Sequence, residues 1–200
     1  YEQAPAFRRI GAAINITPNA VKVLDGLDIG DALRRKSHTP EFRVSRTWDT
    51  GEETSRVKLG SSALARYGVA PLMLHRADLM AVLEASVTGN TIKFGKKLKS
   101  LRNHDGKVRL FFEDKTTVDA VGVIGADGVH SVVREMLFGF EKPRFAGMSA
   151  YRTILPIDRI KGYDISNFVK WWGPIPESQI VTNAINKKKE LFLFATIPET

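Results

Sequence analysis

Asp127 stands between two glycines, Gly125 and Gly128, and is followed at short spacing by Ser131 and Arg134. An acid held by glycines at the end of an apolar segment can accept hydrogen bonds from sugar-type hydroxyls, because glycines let the backbone approach a ligand closely. Ser131 is placed to cap a following helix, whose free N–H groups and positive dipole end suit a phosphate, and Arg134 adds a charged fork one turn on. Ahead of the acid, Val121-Gly122-Val123-Ile124-Gly125 carries no charge, is rich in β-branched residues and is too short for a typical helix. It reads as a strand covered on both faces. Strand, glycine turn and helix together predict a layered α/β domain with a ligand at the strand's carboxyl end.

The elements that must position such residues follow from periodicity. Thr17-Pro18 is a good helix start, cap then first turn, and Val21, Leu24 and Leu27 give the apolar stripe until Gly26 and Gly30 break it. Residues 41–48 alternate polar with apolar as a half-exposed strand does, and Asp49-Thr50-Gly51 turns the chain back onto 56–59. Residues 72–83 predict a helix starting near Arg76, with His75 in a packing or capping role. From Thr91 the chain reads as strands at 91–94, 97–101, 108–112 and 118–124, with Asp105-Gly106 as a strong hairpin signal and a second turn at Asp114-Lys115. Two more strands are expected at 168–174 and 191–196, joined through 180–183. Adjacent Trp171 and Trp172 must point to opposite faces, so only one of them can look into a pocket. Tyr151 and Arg152 oppose each other likewise, and Arg152 reads either as a partner for a substrate carboxylate or as a surface ion pair.

The run 121–134 resembles the Asp-Gly fingerprint of the single-component FAD-dependent aromatic-ring monooxygenases, the salicylate hydroxylase and 4-hydroxybenzoate hydroxylase group. Other segments carry the same resemblance in family order. Arg8-Arg9-Ile10-Gly11-Ala12-Ala13 with Pro18-Asn19 is similar to the stretch that runs beside the flavin, with Ala13 in place of its second glycine. His75-Arg76 is similar to a short motif whose arginine reaches the cofactor, although Arg76 reads equally as a helix-start arginine. Phe94-Gly95-Lys96 precedes Leu98 where the family's backbone lies against the adenine, and Leu98 reads as well as a plain core residue. Glu2, followed by Gln3, stands where an acid of a dinucleotide fold takes the adenosine ribose, about 20 residues after a glycine fingerprint. Neither that fingerprint nor the family's later Gly-Asp-Ala motif is found in these residues, so the chain is expected to be the central fragment of a longer protein. Alone, Glu2 would be a terminal surface acid.

The resemblance implies an α/β fold in which an FAD/NAD(P)-binding Rossmann-like domain (1–40 and 72–143) interleaves with a β-sheet substrate domain (41–71 and 144–200). It implies FAD, NADH or NADPH as co-substrate, O2, and hydroxylation of a small aromatic acid of the 6-hydroxynicotinate or salicylate type, with or without decarboxylation. On it, Glu2, Gln3, Arg9, Arg76, Leu98, Asp127 and Gly128 are expected to hold cofactor, and Arg152 and Trp172 to meet substrate. Val169-Lys170-Trp171-Trp172 and Glu2–Phe7 point to the 6-hydroxynicotinate branch, which carries a histidine where this chain has Asn15 and a catalytic tyrosine where it has Thr182. Asn15 can hydrogen-bond but cannot act as a base near neutral pH. The missing glycine turn, Ala13 and Asn15 leave a second reading, a truncated or degenerate homologue that binds a nucleotide or partner without turnover.

Composition narrows the classes. A hydrophobic fraction of 43% suits a globular chain of 200 residues, and no window reaches the roughly 18 apolar residues of a membrane span. The absence of cysteine excludes disulfides and thiolate metal sites and fits a cytoplasmic setting; no metal is expected. The net charge of +8 would suit nucleic acid, but the basic residues are dispersed and not interleaved with stacking aromatics, so neither nucleic acid nor membrane is expected as a partner. A homodimer is an assembly this reading allows.

Overall fold

The computed structural model of the chain describes residues 1–8 and 12–199. In chain order the elements are β1 (Ala13–Ile16), α1 (Pro18–Gly26), α2 (Gly30–Arg34), β2 (Phe42–Thr47), β3 (Glu53–Lys58), α3 (Gly60–Tyr67), β4 (Leu72–His75), α4 (Arg76–Ser86), β5 (Leu98–His104), β6 (Lys107–Phe112), β7 (Thr117–Ala120), α5 (Val132–Phe138), β8 (Met148–Pro156), β9 (Phe168–Trp172), β10 (Gln179–Ile185) and β11 (Glu190–Pro198). They form two compact units, one from 1–8 and 87–146 and one from 9–86 and 147–200.

The larger unit is layered around β4. All four residues of Leu72–His75 are buried, as befits a strand covered on both faces. Period-2 alternation sends Leu72 and Leu74 into a core with Ile16, Val21, Ile29, Leu33 and Val82 of the helical layer. It sends Met73 the other way, against Ala12, Ile185 and Phe192. β1 pairs antiparallel with β4, Asn15 opposite Met73. The second layer is a six-stranded sheet in the order β3-β2-β9-β10-β11-β8, antiparallel except where β2 runs parallel to β9. The expected hairpin is its edge, β2 turned back onto β3 through Asp49–Gly51.

Two local expectations are modified here. Thr17 precedes α1 with Pro18 in the first turn, yet its hydroxyl oxygen accepts no cap N–H; the hydroxyl donates to Asn19 Oδ1 at 2.5 Å. Leu27 falls past the helix end and is exposed. α4 does start at Arg76, and His75 Nδ1 accepts the Ala77 N–H at 3.0 Å, a capping role.

The smaller unit is the antiparallel sheet β5-β6-β7. Its first turn has Asp105 at φ 48° and Gly106 at φ 72°, the left-handed pair a two-residue hairpin requires. Lys96 Nζ donates to Asp114 at 2.5 Å across the second turn, and Arg109 clasps Asp119 through two bonds of 2.6 and 2.7 Å. The N-terminal segment joins by backbone bonds: Glu2 N–H to the Lys93 carbonyl, Lys96 N–H to that of Glu2, and Gly95 N–H to that of Ala4. Residues 91–94 therefore serve this clasp and not a regular strand.

The strand expected at 118–124 stops at Ala120. Val121 and Ile124 are 92% and 94% exposed. A strand needs a neighbour to take its N–H and C=O groups, and among the described residues none pairs with 121–125. Its apolar composition states what the segment would tolerate, not what lies beside it.

Candidate functional site

Which side chains share a face of the large sheet follows from register. β9 pairs with β10 so that Lys170 lies opposite Val181, β10 with β11 so that Val181 lies opposite Phe194, and β11 with β8 so that Phe194 lies opposite Arg152. Cross-strand partners point the same way, so these four stand in one row on one face. Trp172 is two residues along β9 from Lys170 and Asn183 two along β10 from Val181, on that same face. Arg43, opposite Phe168 on the parallel neighbour, joins them. This is also the face whose Ile185 and Phe192 pack on Met73. Asn15 is exposed on the Met73 side of its strand pair, so it looks toward the same layer.

The chemistry of this face is cationic and aromatic. Lys170 Nζ lies 3.4 Å from the centroid of the Trp172 ring, which is 42% exposed. Burial of the ammonium and the charge of Arg43 hold Lys170 below the usual lysine range. Among the described residues no carboxylate pairs with Arg43, Lys170 or Arg152, whereas Arg34, Arg46, Arg56, Lys96, Lys97 and Arg109 each have one. The expected alternative for Arg152, a surface ion pair, is thus not seen among those residues.

The opposite face carries Thr182, 4% exposed, whose hydroxyl is 2.9 Å from that of Tyr163. Tyr163 lies 5.9 Å from Trp171, and its burial pushes the phenol above the ordinary tyrosine range. Trp171 and Trp172 therefore do diverge, and Asn15 and Thr182 belong to different faces. Next to Thr182, sequence reasoning passed over Asn183, which is 1% exposed with an unpartnered Oδ1. A buried amide oxygen without a donor is costly and marks a position held for some other reason. No local sequence signal distinguishes it from Thr182; only register does. A cleft of about 330 Å³ lined by Ser37, Thr39, Leu64, Val69 and Leu72 holds none of the expected site residues. Arg76 is exposed at the start of α4, its N–H bonded to the Ala12 carbonyl at 3.0 Å, and Arg9 lies outside the described residues.

In the smaller unit Asp127 is committed to its own helix. Its Oδ1 accepts the Ser131 hydroxyl at 2.5 Å and its Oδ2 the Val133 N–H at 3.1 Å, while Ser131 Oγ takes the Arg134 N–H at 3.0 Å. Burial opposes ionisation, but the bonds from Ser131 and Val133 outweigh it and hold the carboxyl below the usual range. The N–H groups expected to meet a phosphate are thereby spent on Asp127 and Ser131, a correction to the sequence expectation. The Arg134 guanidinium donates to the Val129 carbonyl at 2.7 Å. Gly125 is required by close packing, since a Cβ there would stand 2.7 Å from Val133 Cβ, and Gly128 sits at φ 82°. Each Asp127 oxygen retains a lone pair, so the exposed carboxylate can still accept from hydroxyls. Glu2 is similar: Oε1 accepts the Ala4 N–H at 2.8 Å, and the acid remains partly accessible. Gln3 is exposed beside it, and Leu98 is half-buried at the start of β5.

The sequence pattern of the family described as "FAD binding domain" matches residues 4–166. The chain is 37% identical to 6-hydroxynicotinate 3-monooxygenase of Bordetella bronchiseptica, covering 100% of this chain and 52% of that protein. It is 31% identical to salicylate hydroxylase of Pseudomonas putida, over 76% of this chain and 36% of that protein. Among solved structures, Klebsiella pneumoniae HpxO complexed with FAD and uric acid is similar in fold, with a TM-score of 0.84 at 23% identity, covering 98% of this chain and 49% of that one. The chain spans about half the length of the relatives it matches. The α/β class agrees with these neighbours. No helix among the described residues is long and apolar enough to cross a membrane.

Proposed function

This chain belongs to the FAD-binding-domain family, and from that membership we propose that the full-length protein is a flavin-dependent hydroxylase of a small aromatic acid, of the 6-hydroxynicotinate type ahead of the salicylate type. The observation that carries this reading is the 37% identity to a 6-hydroxynicotinate 3-monooxygenase along the whole chain. The Lys170 ammonium on Trp172, with no carboxylate paired to it among the described residues, supports it from the side of the ligand.

FAD, when bound, supplies reduction by NADH or NADPH and the transfer of one oxygen atom of O2 to the ring. Overall, NAD(P)H, a proton, O2 and the ring C–H give the phenol, water and NAD(P)+. In the decarboxylating variant the ring carboxylate leaves as CO2 and a second proton is taken up. Glu2 and Asp127, acceptor-only groups with remaining lone pairs, suit the hydroxyls of FAD, with Gly128, Gln3, Leu98, Arg9 and Arg76 as further contacts. The division of labour is an FAD-binding domain of 1–40 and 72–143 and a substrate domain of 41–71 and 144–200. Asn15 orients the substrate by hydrogen bonding and takes no proton. Arg152 and Trp172 meet the substrate on the face Asn15 looks toward, and Thr182, hydrogen-bonded to Tyr163 on the opposite face, supports the sheet from behind.

Purified full-length protein loaded with FAD should oxidise a reduced nicotinamide faster when 6-hydroxynicotinate is added, with O2 consumed in step and a hydroxylated product in the mass spectrum. A protein that cannot be reconstituted with FAD, or whose nicotinamide oxidation ignores every aromatic acid, sinks the reading. The second outcome would favour a non-catalytic homologue, a reading prompted by Asn15 standing where a base is carried by relatives and by the commitment of Asp127 to its own helix.

A further inference from the structure

Lys170 is a constrained cation of the large sheet. It is half-buried in the middle of β9, with Ser45 and Val181 as lateral neighbours, and its ammonium sits on the face of Trp172. Arg43, on the next strand and the same face, adds a like charge. Desolvation and repulsion both oppose this arrangement, and the indole face is the favourable partner it has among the described residues. For some other cations the sequence provides acids: Glu53 serves both Arg46 and Arg56, and Asp25 serves Arg34. On this face it provides Val181, Phe194 and Trp172 instead. A half-buried ammonium among apolar and aromatic side chains, with a second cation on the same face and no acid paired to it among the described residues, fits a flat ring that bears a carboxylate.

We propose that Lys170, seconded by Arg43, is the specificity-determining residue that takes the carboxylate of the aromatic substrate, so that this sheet face distinguishes an aromatic acid from its uncharged analogue. The inference rests on the aromatic-acid reading above and names the group that selects within it. An arriving carboxylate replaces the lost hydration of the ammonium with a charge-assisted bond and relieves the repulsion from Arg43. The neutral amide of the same acid does neither.

The test is calorimetric titration of the FAD-loaded full-length protein with 6-hydroxynicotinate and, separately, with 6-hydroxynicotinamide. The wild type should bind the acid at least roughly tenfold tighter than the amide, the scale of one charge-assisted bond. Lys170→Met and Lys170→Gln should each abolish that preference with FAD affinity and melting temperature retained, and Lys170→Arg should restore most of it. Acid preference that survives in both Lys170→Met and Lys170→Gln overturns the assignment while leaving the aromatic-acid reading intact. A wild type that binds neither compound and oxidises reduced nicotinamide indifferently to both overturns that reading, and this inference with it.

Discussion

A single side chain can serve two masters, and Asp127 is the residue where this is sharpest. Its carboxylate already binds Ser131 and Val133, which explains its place ahead of α5 without any ligand. The glycines around it and its free lone pairs suit a second duty. Asp127→Ala is expected to lower the melting temperature, since loss of a cap costs about 1 kcal/mol. It is also expected to weaken FAD binding tenfold to a hundredfold, the loss of one bond worth about 1.5–3 kcal/mol. A lowered melting temperature beside an unchanged FAD dissociation constant would reduce Asp127 to a capping residue. The acid, the cap and the glycines were all legible in the sequence, because each acts within a few residues. That the cap would consume the N–H groups thought free for phosphate was not, because it depends on which acceptor lies nearest in space. Asn183 and the orientation of Thr182 were illegible for a stronger reason: adjacent residues of one strand face opposite ways, and only the pairing across three strands says which way is which.

At the scale of elements, local turn chemistry proved the most readable feature. Asp105-Gly106 forecast the β5–β6 hairpin, and the alternation of 41–48 forecast β2. The parallel pairing of β2 with β9, more than a hundred residues away, has no local signal at all. Nor could composition alone give the segment 121–125 a neighbour. The second turn of the small sheet offers a titration. The Lys96 ammonium and Thr116 hold the Asp114 carboxyl down to about 2, against about 4 in an unfolded chain. A lowered folded-state pKa contributes stability that is fully present above the unfolded value and lost as pH falls through the folded one. Melting curves of the wild type should therefore decline between about pH 4 and about pH 2 more steeply than those of Asp114→Asn, with the two converging at the acid end. Parallel curves across that window would show that the Lys96–Asp114 contact does not persist in solution.

For the molecule as a whole, the decisive arrangement is the layering about β4, where neighbouring residues of one strand serve two cores. Leu74, fully buried in the helical core, sits one residue from Met73 in the sheet core. Leu74→Ala should lose about 2–5 kcal/mol of unfolding free energy in denaturant titration, the range for a buried leucine whose site cannot collapse. A loss below about 1 kcal/mol would mean the helical layer can relax onto β1 and β4. The net charge of +8 is unevenly compensated: Arg56, Lys97 and Arg109 each have a carboxylate, while Arg43, Lys170 and Arg152 have none among the described residues.

The stack of Lys170 on Trp172 has an optical consequence. Trp48 lies exposed and Trp171 rests near Tyr163, whereas among the described residues an ammonium sits on the ring of Trp172 and not of the other two indoles. A charge held there biases the energy of the indole excited state, and drawing it toward an anion at the ring's edge changes that bias. The emission colour of Trp172 is thus a built-in gauge of where the lysine points, readable without a label when the other two tryptophans are replaced by phenylalanine.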